Sequence, residues 1–265
     1  MLACPLPLRS PTDRIPAPPF PRDLTWFNVA PLRMDKQRGR PVLVEFWDFC
    51  RVNSLRTLPY VKAWHARYAP HGLRVIGVHT GGFACSREVA AVEAAVGRLG
   101  IEHPVVVDDG LRIWDHYGNR GWPARYLWDQ GGALYSMHYG EGAYQETERE
   151  IQDLLGVEMD LVPPVRPEDE PGSRLPAQTA DQPGAYSGPY EAGGVWAVLD
   201  GRGAVRVDGR GVAVDGCGCY PLVEHPVHTE AVLDLRIGDG VECLATCFTP
   251  GVAPAGRDPG RPAAT

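Results

Sequence analysis

Residues 42–47, Val-Leu-Val-Glu-Phe-Trp, form a short and almost continuously apolar run. Such a run is typical of a strand that is buried on both faces. Residues 53–68 follow after a short connection, and Gly72 just beyond them is a helix stop signal. The apolar side chains of this segment recur at helical spacing: Leu55, Leu58, Val61, Trp64 and Tyr68. The sequence therefore predicts a buried strand that leads into an amphipathic helix.

The alternation of strand and helix continues towards residue 155. Ser86 is a candidate helix cap before a run of apolar residues at helical spacing, and residues 144–155 predict a closing amphipathic helix. Gln130-Gly-Gly is a hairpin signal between two apolar runs. Further strands are predicted over residues 73–79, 103–108, 125–129 and 133–138. The predicted order is β-α-β-α-β-β-β-α, which is that of an α/β domain.

The second half of the chain differs in pattern. Residues 186–253 lack a helical period, and their short apolar runs are separated by Asp-Gly-type turns, which predicts a small antiparallel all-β domain. Residues 159–185 are rich in Pro, Asp, Glu, Gln and Gly and are interpreted as a linker. Residues 1–23 form a proline-rich arm and residues 254–265 a flexible tail. The α/β domain then occupies residues 24–158. Its β neighbour has predicted strands over residues 195–199, 204–207, 212–214, 231–235 and 241–248.

Composition excludes several classes of function. The 265 residues carry a net charge of −7 with no clustered Lys or Arg, so we expect neither a nucleic acid nor a membrane surface as partner. No run of about 18 apolar residues is present. The N-terminus lacks the pattern of a secretory signal, so the expected location is cytoplasmic. The seven cysteines are an odd number, which leaves at least one thiol outside any intramolecular pairing.

Five short strings carry a family resemblance: Val-Leu-Val-Glu-Phe-Trp (42–47), Leu-Arg-Thr-Leu-Pro-Tyr (55–60), Val-Ile-Gly-Val-His-Thr (75–80), Trp-Pro-Ala (122–124) and Gly-Glu-Gly-x-Tyr-x-Glu-Thr-Glu (140–148). In these strings the α/β domain resembles the thioredoxin superfamily, specifically its TlpA/DipZ-like branch. The β domain resembles a C-terminal extension found in some members. The resemblance implies an α/β thioredoxin-like fold followed by a small antiparallel all-β domain.

The resemblance also shows at which two positions this chain lacks the dithiol of the family. Family members keep a Cys-x-x-Cys motif at the start of the first long helix, where the helix dipole lowers the pKa of a thiol. A gapless comparison places Arg51 and Ser54 at those two positions. Disulfide exchange needs an attacking thiolate and a second thiol that resolves the mixed disulfide. Neither Arg51 nor Ser54 supplies one, so ordinary dithiol chemistry is not expected at these two positions.

Cys50, one residue earlier, is the leading candidate for a catalytic thiol, with Arg51 as its electrostatic partner. The alternative is that the offset, about 100° around a helix, turns Cys50 into the core as a small apolar residue. Cys85 is a candidate resolving thiol for a sulfenic acid on Cys50, which would be peroxidase-like chemistry. The alternative is an ordinary loop thiol. Both questions stay open at the level of sequence.

Pro123 resembles the superfamily's cis-proline, which implies a cis Trp122–Pro123 bond and a groove for an extended peptide. Glu45 lies within a buried strand, where its pKa would be raised and it could relay a proton. His79 and His138 are interpreted as strand-end histidines with hydrogen-bond partners. The remaining candidates for the lining of the groove are Trp47, Asp48, Ser54, Trp122 and Glu141.

A second cysteine set lies in the β domain. Four thiolates suit a tetrahedral Zn²⁺ site, and such a site would stabilise a small domain. The alternatives are one or two disulfides, or unbonded thiols. The four residues are Cys217, Cys219, Cys243 and Cys247.

Three functions are compatible with these features. The first is a thiol-dependent oxidoreductase or peroxidase that uses Cys50 on a protein thiol or a small molecule. The second is a non-redox binding or assembly module, in which the β domain adds a surface or forms a homodimer. The third is a repurposed enzyme that acts on a small molecule in the groove near Pro123.

Overall fold

The computed structural model describes residues 14–254. The first part of the predicted N-terminal arm, residues 1–13, and nearly all of the predicted tail, residues 255–265, lie outside this range. The chain separates into two compact units that are not continuous in sequence. The first unit contains the residues through Trp47 together with Tyr60–Thr80 and Val96–Val162. The second contains Asp48–Pro59, Gly81–Ala95 and the residues from Pro163 onward.

The first unit is built on a six-stranded mixed sheet. The strands are β1 (Trp26–Phe27), β2 (Val42–Trp47), β3 (Arg74–His79), β4 (Val105–Val107), β5 (Ala124–Trp128) and β6 (Leu134–Tyr139). Their spatial order is β1-β4-β3-β2-β5-β6. β2 and β4 run parallel to β3, whereas the other pairs are antiparallel. The helices of the chain are α1 (Val52–Tyr68), α2 (Val89–Arg98), α3 (Arg112–Tyr117) and α4 (Tyr144–Leu155).

The sheet has a packed core on each face because β2 alternates its side chains between them. Val42, Val44 and Phe46 belong to one buried cluster, and Leu43 belongs to another. This is the two-residue period of a strand. All six residues of β2 are buried, as expected of a central strand between β3 and β5. The apolar run at 42–47 therefore fixes the centre of the sheet.

The second unit contains an antiparallel β structure around one long strand. The strands are β7 (Gln182–Pro183), β8 (Gly188–Val207), β9 (Arg210–Asp215), β10 (Gly218–Leu233), β11 (Leu235–Ile237) and β12 (Val241–Thr249). β8 pairs with β10 and β12 along its first part and with β9 and β11 along its last part. At Gly193 any Cβ would collide with the backbone of Pro250, so this close approach requires glycine.

The fold class predicted from sequence is confirmed. The details differ in places: the strands predicted at 195–199 and 204–207 are parts of the single strand β8, because it changes partners near Gly201 instead of turning back. The short elements β1 and α3 were not predicted, since two or six residues carry little periodicity. Helix α2 begins at Val89 and a 3-10 turn occupies Cys85–Arg87, so Ser86 is not its cap.

The proposed sequence boundaries, 24–158 and 186–253, remain a proposal beside these discontinuous units. Among the described residues, no helix is both long enough and apolar enough to cross a membrane.

Candidate functional site

Three cysteines from distant parts of the sequence converge within the second unit. Cys85 and Cys217 form a disulfide between residues 132 positions apart, with a Cα–Cα distance of 5.9 Å. The Sγ atom of Cys50 lies 3.4 Å from that of Cys217. The three sulfurs all lie within 4.8 Å of one another. We refer to Cys50, Cys85 and Cys217 as the cysteine trio.

Each member of the trio lies at a break in regular structure. Cys50 is in the loop between β2 and α1, Cys85 opens the 3-10 turn after β3, and Cys217 lies between β9 and β10. The neighbouring Gly216 has a φ of +138°, a conformation that favours glycine at this turn. Cys50 is fully buried, whereas Cys85 and Cys217 are half-buried. An external thiol therefore has more access to the disulfide than to Cys50.

Asp48 holds two of the cysteine loops together. Its Oδ1 atom accepts a 2.8 Å hydrogen bond from the backbone N–H of Cys50. Its Oδ2 atom accepts one of 2.8 Å from the N–H of Gly82 and one of 3.3 Å from the Ser86 hydroxyl. Asp48 is fully buried, and hydrogen bonds to a buried carboxylate are strong. One side chain thus connects the loop of Cys50 to the loop that carries Cys85.

Arg51 and Ser54 have organising contacts at the positions where the family resemblance expects cysteines. The Ser54 hydroxyl oxygen is buried and accepts a 3.3 Å hydrogen bond from the backbone N–H of Asp48. The Arg51 guanidinium carbon lies 4.7 Å from the centre of the Phe83 ring, a cation–π contact. Its Nε atom is 4.0 Å from Asp48 Oδ2. A Cβ at Gly82 would collide with this guanidinium, so glycine makes room for Arg51.

The zinc site predicted from Cys217, Cys219, Cys243 and Cys247 remains a prediction, and the structure shows one of the four, Cys217, in a disulfide. The Sγ atom of Cys217 is bonded to Cys85 and so is not available as a thiolate. Of the alternatives considered, a disulfide does form, but it leaves the β domain to reach a loop of the α/β region. Spacing gave no indication of this pairing because 132 residues separate the partners.

The other three thiols of the second unit are held in the protonated form. Burial raises the pKa of Cys219 well above its ordinary value, and nearby Cys247 and then Cys50 add to the effect. Burial raises the pKa of Cys247 to about 12. Burial also raises the pKa of Cys243, whose thiol donates to the carbonyl oxygen of Ala245. These thiols are poor nucleophiles at neutral pH because the thiolate is the reactive form.

Comparison with known proteins agrees with this arrangement of strands and helices. No family model matches the chain. Protein DipZ of Mycobacterium bovis is 34% identical over 154 residues, which is 57% of this chain and 21% of DipZ. The thiol-disulfide oxidoreductase ResA of Halalkalibacterium halodurans is 25% identical over 124 residues, 47% of this chain and 67% of ResA. The chain has a thioredoxin-like fold and is similar in sequence to proteins of the TlpA/DipZ-like branch of the thioredoxin superfamily.

A solved structure gives the fold-level match. The solution structure of a thioredoxin-like protein in the oxidized form aligns with a TM-score of 0.50 at 22% identity, covering 55% of this chain and 98% of that protein. Protein SUPPRESSOR OF QUENCHING 1, chloroplastic, of Arabidopsis thaliana is 32% identical over 126 residues, 47% of this chain and 12% of that protein. The chain thus spans about a fifth or less of the length of DipZ and of this plant relative.

In the thioredoxin-like sheet, Glu45 lies at the centre of β2 and is opposite Arg125 on β5. Glu45 is fully buried, and neither of its carboxylate oxygens has a hydrogen-bond partner among the described residues. Burial raises the pKa of Glu45 to about 8, and the charge of Arg125 opposes this shift. The sequence predicted the direction of this shift from the burial of the strand.

The remaining predicted groove residues of the thioredoxin superfamily are in the first unit. Trp47 is buried and packs edge-to-face on His79, with ring centres 4.9 Å apart. The Trp122–Pro123 peptide bond is cis. The carbonyl oxygen of Glu141 lies 3.0 Å from Nε2 of His138, so this ring nitrogen has a backbone partner. The last contact agrees with the interpretation of His138 as a strand-end histidine.

Proposed function

We propose that this chain is a thiol–disulfide oxidoreductase in which the cysteine trio takes the role of the superfamily's Cys-x-x-Cys dithiol. The observation that carries the proposal is the 3.4 Å distance between the Sγ atoms of Cys50 and Cys217, next to a formed disulfide. A thiol this close to a disulfide sulfur is placed for exchange. Arg51 and Ser54 then serve as positioning residues in a site whose dithiol has moved to other positions.

The internal step is an exchange without net oxidation. The Cys50 thiol loses its proton, and its sulfur attacks Sγ of Cys217. A Cys50–Cys217 bond forms, the Cys217–Cys85 bond breaks, and Cys85 leaves as a thiolate that takes up a proton. The outer two sulfurs, those of Cys50 and Cys85, lie within 4.8 Å of each other, which is closer than a straight line through Cys217 would allow. The three sulfurs are therefore not in line. The Cys50 side chain must therefore rotate to attack along the axis of the breaking bond.

The net reaction involves an external dithiol, either on a protein or on a small molecule. A substrate thiolate attacks half-buried Cys85, forms a mixed disulfide and releases Cys217 as a thiolate. The second substrate thiol then displaces Cys85. The substrate is oxidised to a disulfide, and the protein gains two thiols. Buried Cys50 acts before the substrate thiol arrives, by exchanging with Cys85 as the disulfide partner of Cys217.

Trapping of the cysteines tests the internal step. The oxidised full-length protein is treated with limiting dithiothreitol, quenched in acid, alkylated and mapped by mass spectrometry. We expect the Cys85–Cys217 disulfide to disappear with two new thiols per chain. In a Cys85→Ser protein we expect mild oxidation to yield a Cys50–Cys217 disulfide. Absence of this disulfide, with Cys50 still a thiol, would remove Cys50 from the mechanism.

A turnover assay tests the activity as a whole. The probe reaction is exchange between glutathione and hydroxyethyl disulfide. We expect the rate with Cys217→Ser to fall to that of the uncatalysed reaction, because Cys217 is a partner in both disulfides. Cys243→Ser is the matched control, since Cys243 lies on β12 outside the trio and should leave the rate unchanged. Equal rates for the two variants would contradict the proposal.

A further inference from the structure

The cysteine trio is also a convergent set of soft ligands. Its three sulfurs lie within 4.8 Å of one another and come from three separate loops. Among residues 14–254, the trio is the group found in which three ligand atoms of cysteine, histidine or carboxylate side chains all lie within 4.8 Å of one another. Thiolates select thiophilic cations such as Zn²⁺ and Cu⁺. Neither the exchange chemistry nor the zinc set predicted from sequence uses the trio in this manner.

We propose that the reduced trio binds one thiophilic d¹⁰ cation, Zn²⁺ or Cu⁺, through the thiolates of Cys50, Cys85 and Cys217. A dithiol first reduces the Cys85–Cys217 bond: the dithiol becomes a disulfide, and Cys85 and Cys217 each gain a proton. The cation then replaces the three thiol protons, which are released to solvent. When an external disulfide oxidises Cys85 and Cys217 to their disulfide and is itself reduced to two thiols, two of the three ligands are removed and the ion is expelled.

The distances fit such a site after a small displacement. A Zn–S distance of about 2.3 Å in tetrahedral geometry separates neighbouring sulfurs by about 3.8 Å. The Cys50–Cys217 separation of 3.4 Å is already close to this value. Cys50 and Cys85 are within 4.8 Å. Only Cys85 and Cys217, which are now bonded, must move apart, by roughly the difference between a covalent and a van der Waals separation of two sulfurs.

The surrounding contacts hold the ligands in place before metal arrives. Asp48 connects the Cys50 loop to Gly82 and Ser86, three residues and one residue from Cys85. Metal ligands fixed by hydrogen bonds of their neighbours bind with less loss of freedom. These bonds involve backbone N–H groups and a serine hydroxyl, so they persist when the disulfide is reduced. The loops of Cys50 and Cys85 therefore stay together in the reduced protein.

Three thiolates, and not four, is the expected ligand number. The group of ligand atoms that lie within 4.8 Å of one another consists of three sulfurs, those of Cys50, Cys85 and Cys217. Three thiolates complete a trigonal Cu⁺ site. For Zn²⁺ they leave one coordination position for water or an external ligand, as in zinc sites that keep an open position.

Metal stoichiometry tests the inference. The full-length protein is reduced, freed of metal with a chelator, and kept anaerobic. One sample receives Zn²⁺ alone and another receives Cu⁺ alone, and each is desalted before elemental analysis. We expect one ion per chain in at least one sample, and none in protein whose Cys85–Cys217 disulfide has been re-formed. Cys50→Ser and Cys85→Ser should lower the affinity roughly tenfold or more, whereas Cys243→Ser should not.

A second measurement avoids substitutions that could disturb folding. In the reduced wild-type protein, the bound ion should slow alkylation of all three trio cysteines together. The inference is overturned if neither ion is retained, if binding is equally tight in the oxidised protein, or if the ion protects other cysteines instead. The exchange assay is run in chelator, so loss of metal binding with intact exchange refutes this inference alone. Loss of exchange with intact metal binding refutes the proposed function alone.

Discussion

Gly82 donates its backbone N–H to Oδ2 of Asp48 at 2.8 Å, across 34 residues of sequence. The other oxygen of the same carboxylate accepts the N–H of Cys50. A fully buried carboxylate is costly without such donors, so the side chain and the two loops stabilise one another. This relationship brings the loop of Cys85 to the loop of Cys50, and the chemistry of the trio depends on it.

Substitution of Asp48 by Asn should loosen this contact. An amide has one acceptor oxygen in place of two, so either the Gly82 or the Cys50 N–H loses its partner. We expect the free energy of unfolding to fall by about 1–3 kcal/mol, since hydrogen bonds to charged groups contribute this much. Urea unfolding of the oxidised protein measures the loss. Re-formation of the Cys85–Cys217 disulfide after reduction should also be slower.

Asp109→Asn is the control for that substitution. It removes the same charge, but at an exposed position. It should unfold at nearly the wild-type urea concentration. If Asp48→Asn and Asp109→Asn behave alike, the carboxylate of Asp48 does not hold the loops.

The disulfide itself should contribute to stability. It closes a loop of 132 residues, and the chain-entropy model assigns roughly 2–5 kcal/mol to a loop of this size. Cys85→Ser kept under reducing conditions, so that no Cys50–Cys217 disulfide forms, should therefore unfold at a clearly lower urea concentration than the oxidised wild type. Reduced wild type should match Cys85→Ser. If reduction leaves the unfolding curve unchanged, the disulfide does not stabilise the native chain.

The thiols of the second unit should differ in their response to pH. Because burial raises the pKa of Cys247 to about 12, its thiolate fraction is very small at pH 8. In native protein we expect iodoacetamide to leave Cys247 and Cys219 unmodified at this pH. The alkylation rate of Cys247 should rise about tenfold per pH unit towards alkaline pH. Mass spectrometry of native and urea-unfolded samples checks this; rapid native labelling at pH 8 would contradict it.

Much of the fold could be predicted from the sequence because its signals are local. The run at 42–47 and the helical spacing in 53–68 correspond to β2 and α1 within one residue at each end. The closing helix, Tyr144–Leu155, has the predicted bounds. These elements are long and strongly periodic, so the pattern of adjacent residues shows which of their faces are buried. The short elements β1 and α3 lack such a pattern.

The site was only partly predictable, because its key relations join distant residues. Cys50 and Cys85 were both identified as candidates, and the structure brings their sulfurs within 4.8 Å. The pairing of Cys217 with Cys85 was not predicted, since nothing local to Cys217 indicates a partner 132 residues away. Asp48 was named as a groove residue. Its role in joining two loops depends on Gly82 and Ser86, and no sequence motif marks these two residues as its partners.

The carboxyl of Glu45 is buried opposite Arg125 without a hydrogen-bond partner among the described residues. Its pKa is about 8 in the native state, against an ordinary value of 4.5. Between these two pH values the native state keeps a proton that the unfolded state has lost. The contribution of Glu45 to stability is therefore present below about pH 4.5 and is lost as the pH rises through about 8.

Glu45→Gln removes this titration and keeps the size of the side chain. The free energy of unfolding of the wild type should fall relative to the variant between pH 5 and 8, by at most about 1.4 kcal/mol per pH unit, and the difference should level off above that range. Urea unfolding at a series of pH values measures how the free energy of unfolding of the wild type and of Glu45→Gln changes with pH. Glu158→Gln, at an exposed position, should keep the wild-type slope. Parallel curves for wild type and Glu45→Gln would mean that Glu45 ionises in the native protein as it does in the unfolded chain, and that its burial on β2 imposes no cost on the charge.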